Sequence, residues 1–546
     1  MPIACGVALA NELLQTGKVA VVTIGDGALN QGSVHEAFAF AAARTLPVLF
    51  ICENNGWSEM TATREMFRVD RLSRRAESYG FPGITIDGTD PIVVRDAIAS
   101  AAERARRGEG PTLIECLAPR LWGHYNRDIE HYRSPTDKRE ANKRDPITSF
   151  AARLVTERRL AAEDLEAITQ EVARNVQRVV AEVIASPEPE GSTASENVYA
   201  PLRPAHASLK DNSDSSASGQ QTTYILAVNE ALRRELASRS NVIVYGEDVG
   251  KGGGIFGAAR QLQRQFGAKR VFDTPIAESA ILGSAIGASM TGLKPIVEIM
   301  WADFMLVALD QLVNQAANIR YITRGDASAS IVVRTQQGVT PGSCAQHSQS
   351  LEALLLHVPG LRVAMPATPQ DAYSILRAAV ASSDPCIVIE SRILYQSAAP
   401  VTFSDEIESI GASCLRKTGT DALVIAWGPM VPVAMEAAAS LEREGIAVAV
   451  LDLRWLSPLD ESEIMKAANA AGGRVAIVHE ANVTCGFGAE IEARLHRNLG
   501  RTKQLRIVRV GTPDVRMPAA PALQRSLVPN AARIIREIHN LVSGNA

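Results

Sequence analysis

The sequence lacks any CxxC pair, and its 7 cysteines (Cys5, Cys52, Cys116, Cys344, Cys386, Cys414, Cys485) are scattered over 546 residues. That odd, unpaired spacing excludes a disulfide framework and a thiolate zinc site, so the thiols read as reduced and mostly buried. An excess of one charge is also missing, since 56 Lys and Arg face 60 Asp and Glu for a net charge of −4. Neither nucleic acid nor an anionic membrane is implied as a partner. No apolar run approaches the ~20 residues of a membrane span. The opening MPIACGVALANELL has neither the basic start nor the cleavage pattern of a secretory signal. These absences predict a soluble, cytoplasmic protein.

What is present is an alternation of short apolar runs and helical segments, in a chain long enough for three or four domains. VAVVTIG (19–25) and VLFICE (48–53) are apolar on both faces, as strands inside a parallel sheet must be. Between them Ser33–Arg44 reads as a crossover helix, and ITID, the helix around Val94–Arg107 and TLIECLA continue the pattern. A second α/β pattern starts at YILAVNEALRRELAS and NVIVYGED, and a third at ALVIAW. The stretch from Ser186 to Gln221 is rich in Pro, Ser, Asp and Gly and too poor in apolar residues to offset its ordering, so it reads as a linker. The expected organisation is 1–185, a flexible linker 186–221, then 222–405 and 406–546.

Two short motifs carry chemistry. IGDGALNQG (24–32) follows a strand, and ENNGW (53–57) ends the next one. A right-handed crossover places such strands side by side, about 4.8 Å apart, with both carboxyl ends on the edge where α/β sheets bind ligands. Asp26, Asn55 and a backbone carbonyl are then hard oxygen donors suited to Mg²⁺ holding a diphosphate. Gly25 and Gly27 would let the backbone approach the phosphates. A Gly-Asp-Gly turn that only redirects the chain is the alternative. The second motif, GKGGGIFGAARQLQRQFG, spaces Gly252, Gly254 and Gly257 as GxGxxG after a strand, with Asp273 beyond. It keeps a nicotinamide or flavin dehydrogenase open as a rival.

GDGALNQGSVHEAFAFAAARTLPVLFICENNGW resembles the thiamine diphosphate motif of the α subunit of decarboxylating 2-oxoacid dehydrogenase components. Residues 222–546 resemble the β subunit through GEDVG, DTPIAES, EIMWADF, AQHSQS, HVPGLRVAMPATPQDA and GFGAEI. The resemblance implies an α/β fold of transketolase-like, three-layer α/β/α domains with a C-terminal transketolase-like domain. It also implies an α part that is incomplete at its N-terminus, because MPIACGVALA matches a segment well inside that subunit. Residue by residue it makes Asp26, Asn55 and the Trp57 carbonyl the Mg²⁺ ligands. Arg120 and His124 of APRLWGH become a diphosphate contact and the loop histidine. Glu278 becomes the partner of the cofactor's aminopyrimidine, Phe304 the aromatic against that ring, and His347 the substrate-side histidine.

The implied activity is thiamine diphosphate-dependent oxidative decarboxylation of a small 2-oxoacid, pyruvate or a branched-chain one, with reductive acylation of the lipoyl group of a dihydrolipoyl acyltransferase. The implied assembly is a homodimer. An acetoin dehydrogenase of the same family and a non-catalytic relative are the alternatives.

Overall fold

The computed structural model describes residues 1–202, 219–501 and 504–544. The chain divides into two compact units, Met1–Glu196 and Asn197–Ala546.

In the first unit, helix α1 (Pro2–Leu13) precedes β1 (Ala20–Gly25), α2 (Gly32–Ala43), β2 (Val48–Asn54), β3 (Gly83–Asp87), α3 (Pro91–Arg106) and β4 (Thr112–Leu117). The strands form one parallel sheet in the order β1-β2-β4-β3, so the expected neighbours β1 and β2 pair directly. The central strands β2 and β4 are almost wholly buried, which is why they read as continuous apolar runs. Helix α2 is the expected crossover and buries Val34, Ala37, Phe38, Phe40 and Ala41, its other positions being partly or fully exposed. Register sets Gly25 beside Glu53 and Asn54 beside Leu117. Three strand ends, carrying Asp26, Asn55 and the segment leading to Arg120, are therefore level.

The second unit holds two larger sheets. Strands β5 (Val242–Gly246), β6 (Val271–Asp273), β7 (Lys294–Ile299), β8 (Val332–Gln337), β9 (Arg362–Ala364) and β10 (Cys386–Ser391) run parallel. Strands β11 (Cys414–Lys417), β12 (Ala422–Ala426), β13 (Val448–Asp452), β15 (Arg474–Asn482) and β16 (Arg506–Thr512) make the other sheet, in the order β11-β13-β12-β15-β16. Between them in sequence, β14 (Trp455–Ser457) leaves its own neighbours and pairs antiparallel with β9. The seven-stranded order is thus β14-β9-β10-β8-β7-β5-β6.

Inside the seven-stranded sheet, Arg334 of β8 lies between Glu298 of β7 at 2.6 Å and Glu390 of β10 at 2.7 Å, all three buried. Tyr395 donates to Glu390 at 2.6 Å, leaving neither acid without a partner.

Of the expected linker 186–221, residues 203–218 lie outside the described residues. Before them, the Ala200 amide donates to Asp384 at 2.9 Å, and Arg362 lies over the Tyr199 ring at 5.1 Å. Among the described residues no helix is long and apolar enough to cross a membrane.

Candidate functional site

In the first unit the strand ends open into a cleft of about 490 Å³ lined by Gly25, Asp26, Gly27, Asn55, Trp57, Arg120 and His124, among others. Every first-half residue singled out in the sequence thus faces one space. Asp26 is only 2% exposed and starts the short turn Gly27–Asn30, accepting from the Gly27 amide at 3.0 Å and from the Thr63 hydroxyl. Asn55 Oδ1 accepts from the Trp57 amide at 3.0 Å, which fixes its carbonyl while leaving a second lone pair. Its neighbour Asn54 donates to the buried Glu115 of β4 at 2.7 Å, so the Asn-Asn turn is tied to the sheet. The two glycines differ. A Cβ on Gly27 would lie 2.0 Å from Ser58 Oγ, whereas a Cβ on Gly25 would meet nothing within 4 Å.

Arg120 is drawn under the cleft, with Nε donating to the Trp122 carbonyl at 3.1 Å and Nη1 to the Glu59 carbonyl. Its buried Nη2 lies 3.8 Å from Asp128 and makes no hydrogen bond. His124 sits on a loop organised by that same Asp128, which accepts from the amides of His124 and Glu130 and from Tyr132 Oη. The Tyr132 hydroxyl, those amides and Arg120 hold the Asp128 carboxyl down at about 2. His124 itself is half exposed, its Nε2 4.0 Å from Glu59.

In the second unit Glu278 opens the helix Glu278–Met290 and is partly exposed. The next residue, Ser279, donates to the Val307 carbonyl at 3.2 Å, linking that helix start to the segment after Phe304. Phe304 and His347 meet edge to face with ring centroids 5.5 Å apart. His347 also packs edge to face on Trp301 at 4.7 Å. Arg392 lies over the Trp301 ring, 3.7 Å from its centroid. Burial lowers Arg392 to about 10, which leaves it charged at neutral pH.

The GxGxxG loop is spent on packing. Gly254 donates its amide to the Asp248 carbonyl at 2.8 Å, and a Cβ there would lie 3.0 Å from Glu298. Asp273, the acid a dinucleotide ribose would need, accepts instead from the Gly250 amide at 2.6 Å. The helix that follows, Leu262–Phe266, is a single short turn rather than a phosphate-binding helix. The Rossmann alternative is set aside on these contacts.

Comparison with known proteins accords with this layout. Residues 1–192 match the family described as dehydrogenase E1 component, 220–397 the transketolase pyrimidine-binding domain, and 411–534 the transketolase C-terminal domain. The 2-oxoisovalerate dehydrogenase subunit beta of Bacillus subtilis is 39% identical over 57% of this chain and 96% of its own length. The chain belongs to the 2-oxoacid dehydrogenase E1 family. It carries an α-like and a β-like E1 part in one polypeptide, with transketolase-like domains in the second. An acetoin:2,6-dichlorophenolindophenol oxidoreductase subunit beta of Cupriavidus necator is 36% identical over 58% of this chain and 97% of that protein. The Bacillus subtilis pyruvate dehydrogenase E1 component subunit beta is 36% identical over 55% and 93%. These E1 relatives carry three different substrate names at nearly equal distance.

E1 and transketolase-like domains imply thiamine diphosphate, and the chain's own groups fit it: an open Gly25 and an arginine, Arg120, whose buried Nη2 makes no hydrogen bond line a cleft beside a buried carboxylate. Among the described residues no group of three or more His, Cys, Asp or Glu side chains could hold a metal. Any cation here depends on one carboxylate together with amide and backbone oxygens.

Several residues of these two sites escaped the sequence reading. Glu115 behind Asn54 carried a signal, because an acid inside the apolar run TLIECL needs buried partners. Thr63, Asp128 and Arg392 carried none, since only tertiary contact brings them to Asp26, His124 and His347.

Proposed function

We propose that this E1 chain catalyses the oxidative decarboxylation of a small 2-oxoacid with thiamine diphosphate and Mg²⁺, and passes the acyl group to the lipoyl disulfide of a dihydrolipoyl acyltransferase. The observation that supports it most is the gathering of Gly25, Asp26, Asn55, Trp57, Arg120 and His124 around one cleft at the ends of parallel strands. Thiamine diphosphate, when bound, supplies the sink for the electron pair left by departing carbon dioxide.

The chain's residues do the rest. Asp26, Asn55 and the Trp57 carbonyl would hold Mg²⁺, and Arg120, whose Nη2 makes no hydrogen bond and only a 3.8 Å ion pair with Asp128, would donate to a diphosphate oxygen. Glu278 would hydrogen-bond the aminopyrimidine nitrogen, and Phe304 would pack on that ring. His124 and His347 would exchange protons with the substrate oxygen and the lipoyl sulfur. The assembly proposed is a cytoplasmic homodimer. Acetoin stands beside pyruvate and the branched-chain 2-oxoacids as substrate, because a relative named for acetoin is as similar as one named for pyruvate. A non-catalytic relative remains the contrary reading.

Calorimetric titration of the full chain with thiamine diphosphate and Mg²⁺, repeated with Asp26→Ala and Glu278→Ala, tests this reading. Saturable binding that both substitutions weaken supports it, and absence of binding to the unmodified chain removes it. Ferricyanide-linked oxidation of pyruvate, 3-methyl-2-oxobutanoate and acetoin then ranks the substrates.

A further inference from the structure

The segment from Gly338 to Ser348, which carries His347, is an irregular loop leaving the carboxyl end of β8. Local turns shape its interior: the Thr340 amide donates to Ser343 Oγ at 3.0 Å, Ser348 Oγ donates to the same oxygen at 2.7 Å, and the amides of Ser343 and His347 donate to the Thr340 and Cys344 carbonyls at 2.9 and 3.1 Å. Three side chains from elsewhere in the fold reach it: Gln524 Nε2 donates to the Ser343 carbonyl at its middle, and Glu480 and Arg392 hold its ends. Glu480, at the carboxyl end of β15, accepts from the Val339 amide, and its carboxylate lies against the Cα of Gly338, where a Cβ would come within 2.9 Å. Arg392, just after β10, reaches both ends: its Nη2 donates to the Gly338 carbonyl at 3.3 Å and to the His347 carbonyl at 3.1 Å.

One guanidinium nitrogen thus ties together two carbonyls at opposite ends of the loop. The guanidinium plane is itself fixed by Trp301, 3.7 Å away, and Phe256, 5.6 Å away, on different elements. Trp301 is also the ring on which His347 rests. The backbone and the imidazole of His347 are therefore referenced to the same rigid pair. Arg392 Nε is buried and makes no hydrogen bond, so the side chain accepts a polar cost at this place in order to hold that geometry.

We propose that Arg392 is a positioning residue for His347, setting the height and orientation of its imidazole through the Gly338 and His347 carbonyls and the shared Trp301 ring. The consequence for chemistry rests on the reading of His347 as the substrate-side proton carrier; the positioning itself does not. A lysine keeps the charge at this site but lacks the planar fork that reaches two carbonyls while stacked on an indole, so it substitutes poorly.

The test uses the full chain with Arg392→Lys and Arg392→Met. Amide hydrogen exchange followed by mass spectrometry is expected to show residues 339–348 exchanging about tenfold faster in Arg392→Met, with the β7, β8 and β10 amides unchanged. Arg392→Lys should fall between the two. At saturating thiamine diphosphate and 2-oxoacid, kcat should drop about 100-fold in Arg392→Met, the penalty of an ångström-scale misplacement, with cofactor affinity by calorimetry unchanged. Loop exchange that stays at the original rate in Arg392→Met overturns the proposal, as does a kcat loss matched by an equal loss of cofactor affinity. Should Arg392→Met fail to fold, Arg392→Lys carries the same two readouts, and unchanged exchange and kcat in it overturn the proposal equally. Faster loop exchange in a chain that binds no thiamine diphosphate would leave the positioning intact and remove only the proposed function.

Discussion

The backbone amide of His124 donates to Asp128 Oδ2 at 2.7 Å, and the same carboxylate receives Tyr132 Oη at 2.6 Å. The loop beside the cleft is therefore built around one acid, which gathers the amides of His124 and Glu130 and the Tyr132 hydroxyl. Held down at about 2 from the ordinary 3.8, that carboxyl stays charged, and its contacts persist, at every pH above 4. Asp128→Ala is expected to raise amide exchange over residues 120–132 about tenfold while leaving the thermal midpoint nearly unchanged, since the loop lies outside the sheet core. Unchanged exchange would mean that the loop is ordered by other contacts.

The two glycines of the Gly-Asp-Gly turn should respond differently to the same methyl group. Gly27→Ala forces a Cβ to within 2.4 Å of Ser58 Cβ and is expected to cost about 1–3 kcal/mol in urea unfolding. Gly25→Ala meets no atom within 4 Å and should leave stability alone. Because it projects into the cleft, it should instead weaken thiamine diphosphate binding about tenfold. An equal effect of both on stability would contradict the open cleft.

Arg334 is placed to neutralise two buried acids on neighbouring strands. Arg334→Met leaves Glu298 and Glu390 without their cation, and a loss of about 3–5 kcal/mol is expected in denaturant unfolding at neutral pH. Part of that loss should return at low pH, where protonation removes the stranded charges; Glu298 is already raised by its burial.

Adjacent residues His479 and Glu480 should tilt the stability curve in opposite directions. Burial lowers His479 from 6.5 to about 4, and its stacking on Trp427 at 5.4 Å keeps the neutral ring enclosed. Its contribution is complete above pH 6.5 and is lost as pH falls toward 4. Burial raises Glu480 from 4.5 to about 7, so its contribution is complete below pH 4.5 and is lost as pH rises to 7. Relative to the unmodified chain, His479→Gln should lose the upward slope between pH 4 and 6.5, and Glu480→Gln the downward slope between 4.5 and 7. Each is worth roughly 3 kcal/mol across its window. Urea unfolding at half-unit pH steps measures both, and parallel curves would refute the assignment.

Much of this arrangement was legible because parallel strands buried on both faces leave little ambiguity. The runs at 48–53 and 422–427 read as strands for the same reason that they sit in sheet centres. Asp26 and Asn55 could be paired from crossover geometry alone, since the register makes their strands neighbours. What did not show was contact over long sequence separation. No local pattern links Arg392 to His347, 45 residues earlier, or Thr63 to Asp26, 37 residues earlier. Strand β14 was hidden as well, because Trp455–Ser457 is too short to read as a strand and follows β13 without a clear break.

That three-residue strand joins the fates of two domains. Trp455–Ser457 shields the outer edge of β9, and Arg454 beside it donates to Asp371 on the helix Pro369–Ala381 at 2.7 Å. A chain cut after residue 405 would expose the Arg362–Ala364 backbone as a bare edge and leave Asp371 short of its cations, an invitation to intermolecular pairing. Residues 222–544 should accordingly melt as one cooperative block, and neither half should be obtainable alone as a well-behaved monomer.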